Sequence, residues 1–354
     1  MSVSDNFTVE LTPSGTRFSA GPQETVLEAG LRQHLVLPYG CRDGACGTCK
    51  AKVVAGTIEQ DTHSQSALSA EEQAQGYALL CRSKARSDLV VQARALERAA
   101  DIPVRKLPSR IASIERPAPD VAVLQLQLPA NERLVFLAGQ YIELMLRDGT
   151  RRQYSLAVAP ENAERLELHV RHLPGGRFTD ALFGVSDPPV RERDVLRFEG
   201  PLGTFFLRED SERPIVLVAS GTGFAPIKAI IEHCVAAQIA RPMTLYWGGR
   251  RPADLYMDGL CRQWEQVIPG FSYVPVVSDA LAEDHWGGRT GFVHRAVIED
   301  FPDLSGHQVY ACGAPVVINA ARRDFIAACS LPESEFYADS FTSAADTGAV
   351  QPLI

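Results

Sequence analysis

Tyr39-Gly40-Cys41-Arg42-Asp43-Gly44-Ala45-Cys46-Gly47-Thr48-Cys49 places three cysteines within nine residues, and a fourth, Cys81, follows 32 positions after Cys49. The pattern C-x4-C-x2-C…C is the spacing by which thiolates hold a [2Fe–2S] cluster. Three thiolates this close can serve one iron and half of the other only if the loop wraps tightly. Gly44 and Gly47 suit that demand, because a residue without Cβ lets backbone N–H groups approach the sulfurs. A structural zinc site is the competing reading, but zinc favours two C-x2–4-C pairs, and here the fourth ligand stands alone. Cys41, Cys46, Cys49 and Cys81 are therefore read as the metal ligands.

Around this loop the chain reads as a small α+β unit. Residues 7–12 and 16–19 alternate about Pro13-Ser14-Gly15, which predicts a hairpin. Apolar positions between Thr25 and Gln33 predict a short amphipathic helix. A strand at Ala51–Val54, an acidic helix near 70–75 and a strand at Leu89–Ala93 complete it. Ala95 to Leu107 has no strong period and reads as a linker. Beyond it, strands are expected at 109–115, 121–128, 140–146, 152–158, 166–171 and 194–198, the regular spacing of a β-barrel. After Pro214, apolar strands at 215–219, 244–247, 273–277 and 308–311 alternate with helices at 226–237, 253–266, 293–298 and 315–329. That order implies a parallel sheet covered by helices.

Three further motifs carry chemistry. Arg152-Gln-Tyr154-Ser155 lies on an expected barrel strand; a guanidinium suits phosphate and an aromatic face suits a flat ring. Gly221-Thr222-Gly223 joins a strand to a helix, and such glycines let the backbone approach dinucleotide phosphates at a helix N-terminus. Pro226 stands where the fingerprint's third glycine would be. Cys312-Gly313 ends a strand in the crevice where an open parallel sheet binds its ligand. The strand tip Gly248-Gly249-Arg250-Arg251 shows no carboxylate for a ribose 2′-OH, and its arginines could accept a 2′-phosphate, which leaves NADPH open.

With these motifs in order, the chain resembles the three-domain NADH-dependent iron–sulfur flavoprotein reductases over nearly its whole length, from about residue 8 to Phe341. Its nearest branches are the CDP-6-deoxy-Δ3,4-glucoseen reductases and the reductase components of oxygenases. The resemblance implies a multidomain fold: an α+β β-grasp ferredoxin over 1–95, a linker over 96–107, an antiparallel β-barrel flavin domain over 108–208 and an α/β parallel-sheet nucleotide domain over 209–354. It implies three cofactors, a [2Fe–2S] cluster, FAD and NADH. By resemblance, Arg152 meets the flavin pyrophosphate, Tyr154 packs on the isoalloxazine, and Ser155 hydrogen-bonds near its N5. His169, Arg171, Gly176 and Thr179 form a second flavin contact, and Arg250 is assigned to the nucleotide. On the same resemblance Ser155 and Cys312 would stand nearest the hydride, and Phe341 would shield the flavin. The remaining Cys234, Cys261 and Cys329 read as core residues, and 342–354 as a loose tail.

The expected activity is electron transfer from NADH through FAD and the cluster to a partner protein, either a CDP-sugar dehydratase or an oxygenase component. The rivals are a free flavin reductase with a ferredoxin arm and a non-catalytic redox sensor. Composition narrows the field. Of 354 residues 45% are hydrophobic and 22% charged, ordinary globular usage for two or three domains. A net charge of -8 argues against nucleic acid, and no stretch of about 18 apolar residues suggests a membrane span. No secretory signal is visible, so a cytoplasmic protein is expected; it is also expected to be a monomer. Residues 1–95 carry 9 Lys plus Arg against 10 Asp plus Glu, which advertises no strongly charged docking face.

Overall fold

A computed structural model describes residues 6–342, and the tail expected over 342–354 lies, past Thr342, outside the described residues. The described chain forms two compact units, one of residues up to Pro103 together with Ser340–Thr342 and one of Val104–Asp339.

The first unit is built on a five-stranded sheet. Its strands are β1 (Phe7–Thr12), β2 (Arg17–Ala20), β3 (Lys50–Ala55), β5 (Tyr77–Leu79) and β7 (Leu89–Gln92), in the order β2-β1-β7-β3-β5. β4 (Ile58–Gln60) and β6 (Ser83–Ala85) make a separate two-stranded ladder. β1 pairs antiparallel with β2 and parallel with β7. The helices are α1 (Val26–Arg32), α2 (Ala70–Ala74) and α3 (Glu97–Ala100). α1 starts at a capping box, in which Thr25 Oγ1 accepts from Glu28 N and the Glu28 carboxylate accepts from Thr25 N. Its buried Val26, Leu27 and Ala29 join Val9, Leu11, Leu79 and Val91 in one core. Full burial of each leucine there contributes roughly 1.5–3 kcal/mol. The expected linker is shorter than its lack of period suggests: α3 occupies part of it, and β8 begins at Arg105. Both are set by tertiary partners, which periodicity does not register.

The second unit contains two sheets. Six antiparallel strands follow the order β11-β10-β13-β8-β9-β12: β8 (Arg105–Ala118), β9 (Val121–Gln127), β10 (Tyr141–Met145), β11 (Arg151–Ser155), β12 (Leu166–Arg171) and β13 (Val195–Leu202). A bridge between Leu156 and Leu168 links the two ends of that order and closes the barrel. Helix α4 (Arg177–Leu182) follows β12.

The other sheet runs β17-β16-β15-β14-β18-β19, with β14 (Ile215–Ser220), β15 (Met243–Gly249), β16 (Phe271–Val277), β17 (Arg289–Thr290), β18 (Gln308–Gly313) and β19 (Phe336–Ser340). Its helices are α5 (Phe224–Ala236), α6 (Asp258–Val267), α7 (Val293–Asp300) and α8 (Pro315–Ala328). β14 pairs in parallel with both β15 and β18. Ile215 to Ala219 and all of β18 are buried, as central parallel strands covered on both faces require. The connection leaving β14 turns towards β15, whereas β18 lies on its other side. The order therefore reverses between β14 and β18, which is where such sheets open a crevice. Among the described residues, no helix is long and apolar enough to cross a membrane.

Candidate functional site

The four N-terminal cysteines are all free and converge in two pairs. Cys41 N and Cys46 N each donate to the other's sulfur at 3.4 Å, and Cys49 Sγ lies 3.2 Å from Cys81 Sγ. Two pairs are what two irons need. Hydrogen bonds from Cys41 and then Thr48 outweigh burial and draw the Cys46 thiol down to about 6. Its partner Cys41 is pushed up by the same contact. The backbone is already wound for the task, with Gly44 at φ +83 and Gly47 at φ +77. A Cβ on Gly44 would stand 2.8 Å from Arg82 Cγ, and one on Gly47 would stand 3.2 Å from Ala67 O. The loop and its donor set fit a two-iron cluster.

β11 pairs with β10 so that Tyr154 faces Ile142 and Arg152 faces Leu144. Arg152 and Tyr154, two residues apart, share one side of the strand. On the other side Arg151 is held by Glu143 and Glu199. The Tyr154 ring lies 5.7 Å from that of Phe178 on α4. Ser155 is buried, and its Oγ lies 3.5 Å from Asp339 Oδ2. Asp339 is a buried acid that no sequence motif announces, and only the fold brings it to Ser155.

The second expected flavin contact is more internally engaged. Thr179 Oγ1 donates to Leu173 O at 2.9 Å and receives Leu173 N at 3.3 Å. Gly176 caps α4, and a Cβ there would meet Thr179 Oγ1 at 2.5 Å. The His169 ring is buried, with Nδ1 2.8 Å from Tyr256 Oη and Nε2 2.8 Å from Glu167 Oε1. That leaves the backbone of β12 as the part of His169 open to a cofactor. Arg171 Nη2 donates to Asp254 Oδ1 at 2.7 Å. Its Nε is 2.9 Å from Asp120 Oδ2 but is left without a hydrogen bond. Its Nη1 stands 2.8 Å from where a Gly221 Cβ would be, so a barrel arginine reaches the glycine turn.

That turn sits at the crevice between β14 and β18. Gly221 has φ +54, and a Cβ on Gly223 would lie 2.1 Å from Cys312 O, inside contact distance. A Cβ on Gly313, at φ +144, would lie 2.6 Å from Ser220 Cβ. Trp247 Nε1 donates to Gly221 O at 3.1 Å, and the Trp247 ring stacks on Phe224 at 4.0 Å. Thr222 lies in the middle of the turn, which passes straight into α5. Only glycine fits at 223 and 313, where the turn and the end of β18 touch, and the turn leads its backbone into the start of α5 as a dinucleotide site requires. Cys312 is fully buried, and burial pushes its thiol well up, so it packs as a neutral group.

At the tip of β15, Arg250 and Arg251 differ. Arg251 is engaged by Asp284 at 2.9 and 2.8 Å, whereas Arg250 is exposed and donates only its backbone N–H, to Asp254 Oδ2 at 2.7 Å. Asp254 also receives Arg251 N at 3.0 Å. A carboxylate thus returns to the strand tip from a turn begun by Pro252, although the strand itself supplies none. Cys234 and Cys261 are core residues of the same unit, and Cys329 is buried under α8's end. Phe341 follows β19 and is exposed.

Comparison with known proteins covers the three regions. Residues 9–86 match the 2Fe-2S iron-sulfur cluster binding domain, 108–207 the oxidoreductase FAD-binding domain and 217–323 the oxidoreductase NAD-binding domain. The CDP-6-deoxy-L-threo-D-glycero-4-hexulose-3-dehydrase reductase of Yersinia pseudotuberculosis is 41% identical, over 94% of this chain and 98% of that one. A terephthalate 1,2-dioxygenase reductase component from Comamonas is 33% identical, over 96% and 98%. The crystal structure of an Amycolatopsis cytochrome P450 reductase superposes with a TM-score of 0.75 at 35% identity, covering 96% of this chain and 99% of that one.

Proposed function

Because the chain belongs to the iron–sulfur flavoprotein reductases, NAD(P)H-dependent oxidoreductases that join [2Fe–2S], FAD-binding and NAD-binding domains, we propose that its electron acceptor is a separate protein, a CDP-sugar dehydratase or an oxygenase component. The observation that carries this reading is the convergence of four free cysteines in two pairs on a loop wound for a two-iron cluster. A two-electron donor needs such a one-electron outlet only where the acceptor takes electrons singly. When bound, a flavin would supply the link between a two-electron hydride donor and one-electron transfer to a cluster held by Cys41, Cys46, Cys49 and Cys81.

The chain's own part is holding and orienting. Arg152 would neutralise the flavin pyrophosphate, Tyr154 would lie against the ring, and the buried Ser155 hydroxyl, steadied by Asp339, would bond the ring's reactive edge. Gly176 and Thr179 would shape the turn over the second flavin contact, with His169 contributing backbone. Gly221, Thr222 and Gly223 would cradle the nucleotide phosphates, with Cys312 and Gly313 as the floor beneath the nicotinamide. NADH is the proposed donor: the Asp284 carboxylate already occupies Arg251 and repels a 2′-phosphate, which leaves Arg250 alone to attract one. The same reading assigns the cluster, flavin and nucleotide domains to 1–95, 108–208 and 209–354, joined by a linker over 96–107, and takes the protein to act as a monomer.

Cys46→Ser tests the reading. NADH should still bleach the flavin and drive ferricyanide reduction, while reduction of a one-electron protein such as cytochrome c falls to background. Equal loss of both would overturn it.

A further inference from the structure

Lys228 sits one turn into α5, the helix that leaves the glycine turn, and is only 7% exposed. Its ammonium donates to Ala157 O at 2.8 Å and lies 3.1 Å from Glu167 Oε1 and 2.7 Å from Glu232 Oε1. Ala157 is two residues past Ser155, at the end of the strand read as the flavin's. Glu232, one turn further along α5, accepts from Ala159 N at 3.3 Å.

A second arm runs from Glu167 to the nucleotide turn. The Lys228 and His169 contacts overcome burial and hold the Glu167 carboxyl at about 2, so it is ionised and accepts from His169 Nε2. Burial keeps His169 neutral, which leaves Nδ1 as an acceptor and makes Tyr256 Oη the donor to it. Tyr256 stands edge-on to Trp247 at 5.1 Å, and Trp247 Nε1 donates to Gly221 O. One ammonium thus ties the carbonyl after Ser155 to the carbonyl of Gly221 through an unbroken run of side chains. Stability alone does not call for this, because a buried ion pair is often replaced by apolar residues without loss. A fixed distance between two reacting partners does call for it, since small misplacements slow transfer steeply.

We propose that Lys228 is a positioning residue for electron transfer from nicotinamide to flavin, fixing the glycine turn relative to the flavin strand. The proposal rests on the reading of β11 and Gly221–Gly223 as the two cofactor sites.

The test uses the FAD-loaded full chain with three variants: Lys228→Met, Lys228→Met with Glu167→Gln, and Tyr256→Phe. At saturating NADH, Lys228→Met should slow flavin bleaching about tenfold to hundredfold while NAD+ affinity by calorimetry moves less than about threefold. Hydrogen exchange of the 221–224 amides should rise. The double variant, which removes one of the two stranded carboxylates, should regain part of the lost Tm but not rate. Tyr256→Phe should show a smaller slowing with Tm unchanged. Rate returning together with Tm in the double variant would make Lys228 merely structural and overturn the proposal. Should Lys228→Met fail to fold, an unchanged rate in Tyr256→Phe overturns it instead. If the unmodified protein binds FAD yet is not bleached by NADH, the underlying reading of the sites falls, and the proposal with it.

Discussion

The cluster loop and the flavin–nucleotide junction solve the same problem, holding a redox group, in opposite ways. In the loop, three of four ligands come from nine consecutive residues, and left-handed glycines supply the winding. In the junction, one run of contacts draws on Ala157, Glu167, His169, Gly221, Lys228, Trp247 and Tyr256, which lie up to 99 positions apart (256 minus 157). The junction exists only once barrel and parallel sheet have met, so its faults should appear as lost rate with the cofactors still bound.

The sharpest break is expected at Gly223→Val. A side chain aimed at Cys312 O has no room, so NADH should no longer reduce the flavin, and the second unit should lose about 3 kcal/mol. The stability loss is read by urea unfolding, and cluster absorbance should survive. Next comes the reciprocal damage: Gly44→Ala forces a positive-φ residue against Arg82, costing about 1–2 kcal/mol locally. Iron and sulfide per chain should fall while FAD content and NADH–ferricyanide activity stay level.

Acid should probe the junction more gently. Glu167 is held at about 2, below its unfolded range near 4.3, so its contribution is present above that range and is lost as pH falls from there towards about 2. His169, lowered by burial, acts in the same direction below about 6.5, because the unfolded chain takes up that proton first. The Tm of the second unit should therefore fall as pH drops from 7 to 4, and less steeply in His169→Gln. The smallest effect concerns donor choice. Asp284→Asn releases Arg251, and the ratio of kcat/KM for NADPH over NADH should rise about fivefold.

The same contrast explains what could be read in the sequence. All six barrel strands and the four central parallel strands were visible as alternating or continuous apolar runs. The cysteines were visible because their ligand spacing is local. β4, β5, β6, α3 and the edge strand β17 are not, being too short to show a period. Asp254 was passed over because a turn returns it to the tip of β15 from outside the strand. Asp339 and the Lys228 network were invisible for a related reason: a buried lysine looks like a surface lysine until the barrel carbonyl it bonds is known.

The direct test of the electron path is an anaerobic rapid-mixing experiment on the unmodified protein with NADH. Flavin absorbance and the paramagnetic signal of the reduced cluster are followed in the same time course. Flavin bleaching should come first, with the cluster signal growing as the flavin reoxidises. A cluster signal that precedes flavin bleaching, or that never appears while the flavin is fully reduced, would contradict the path.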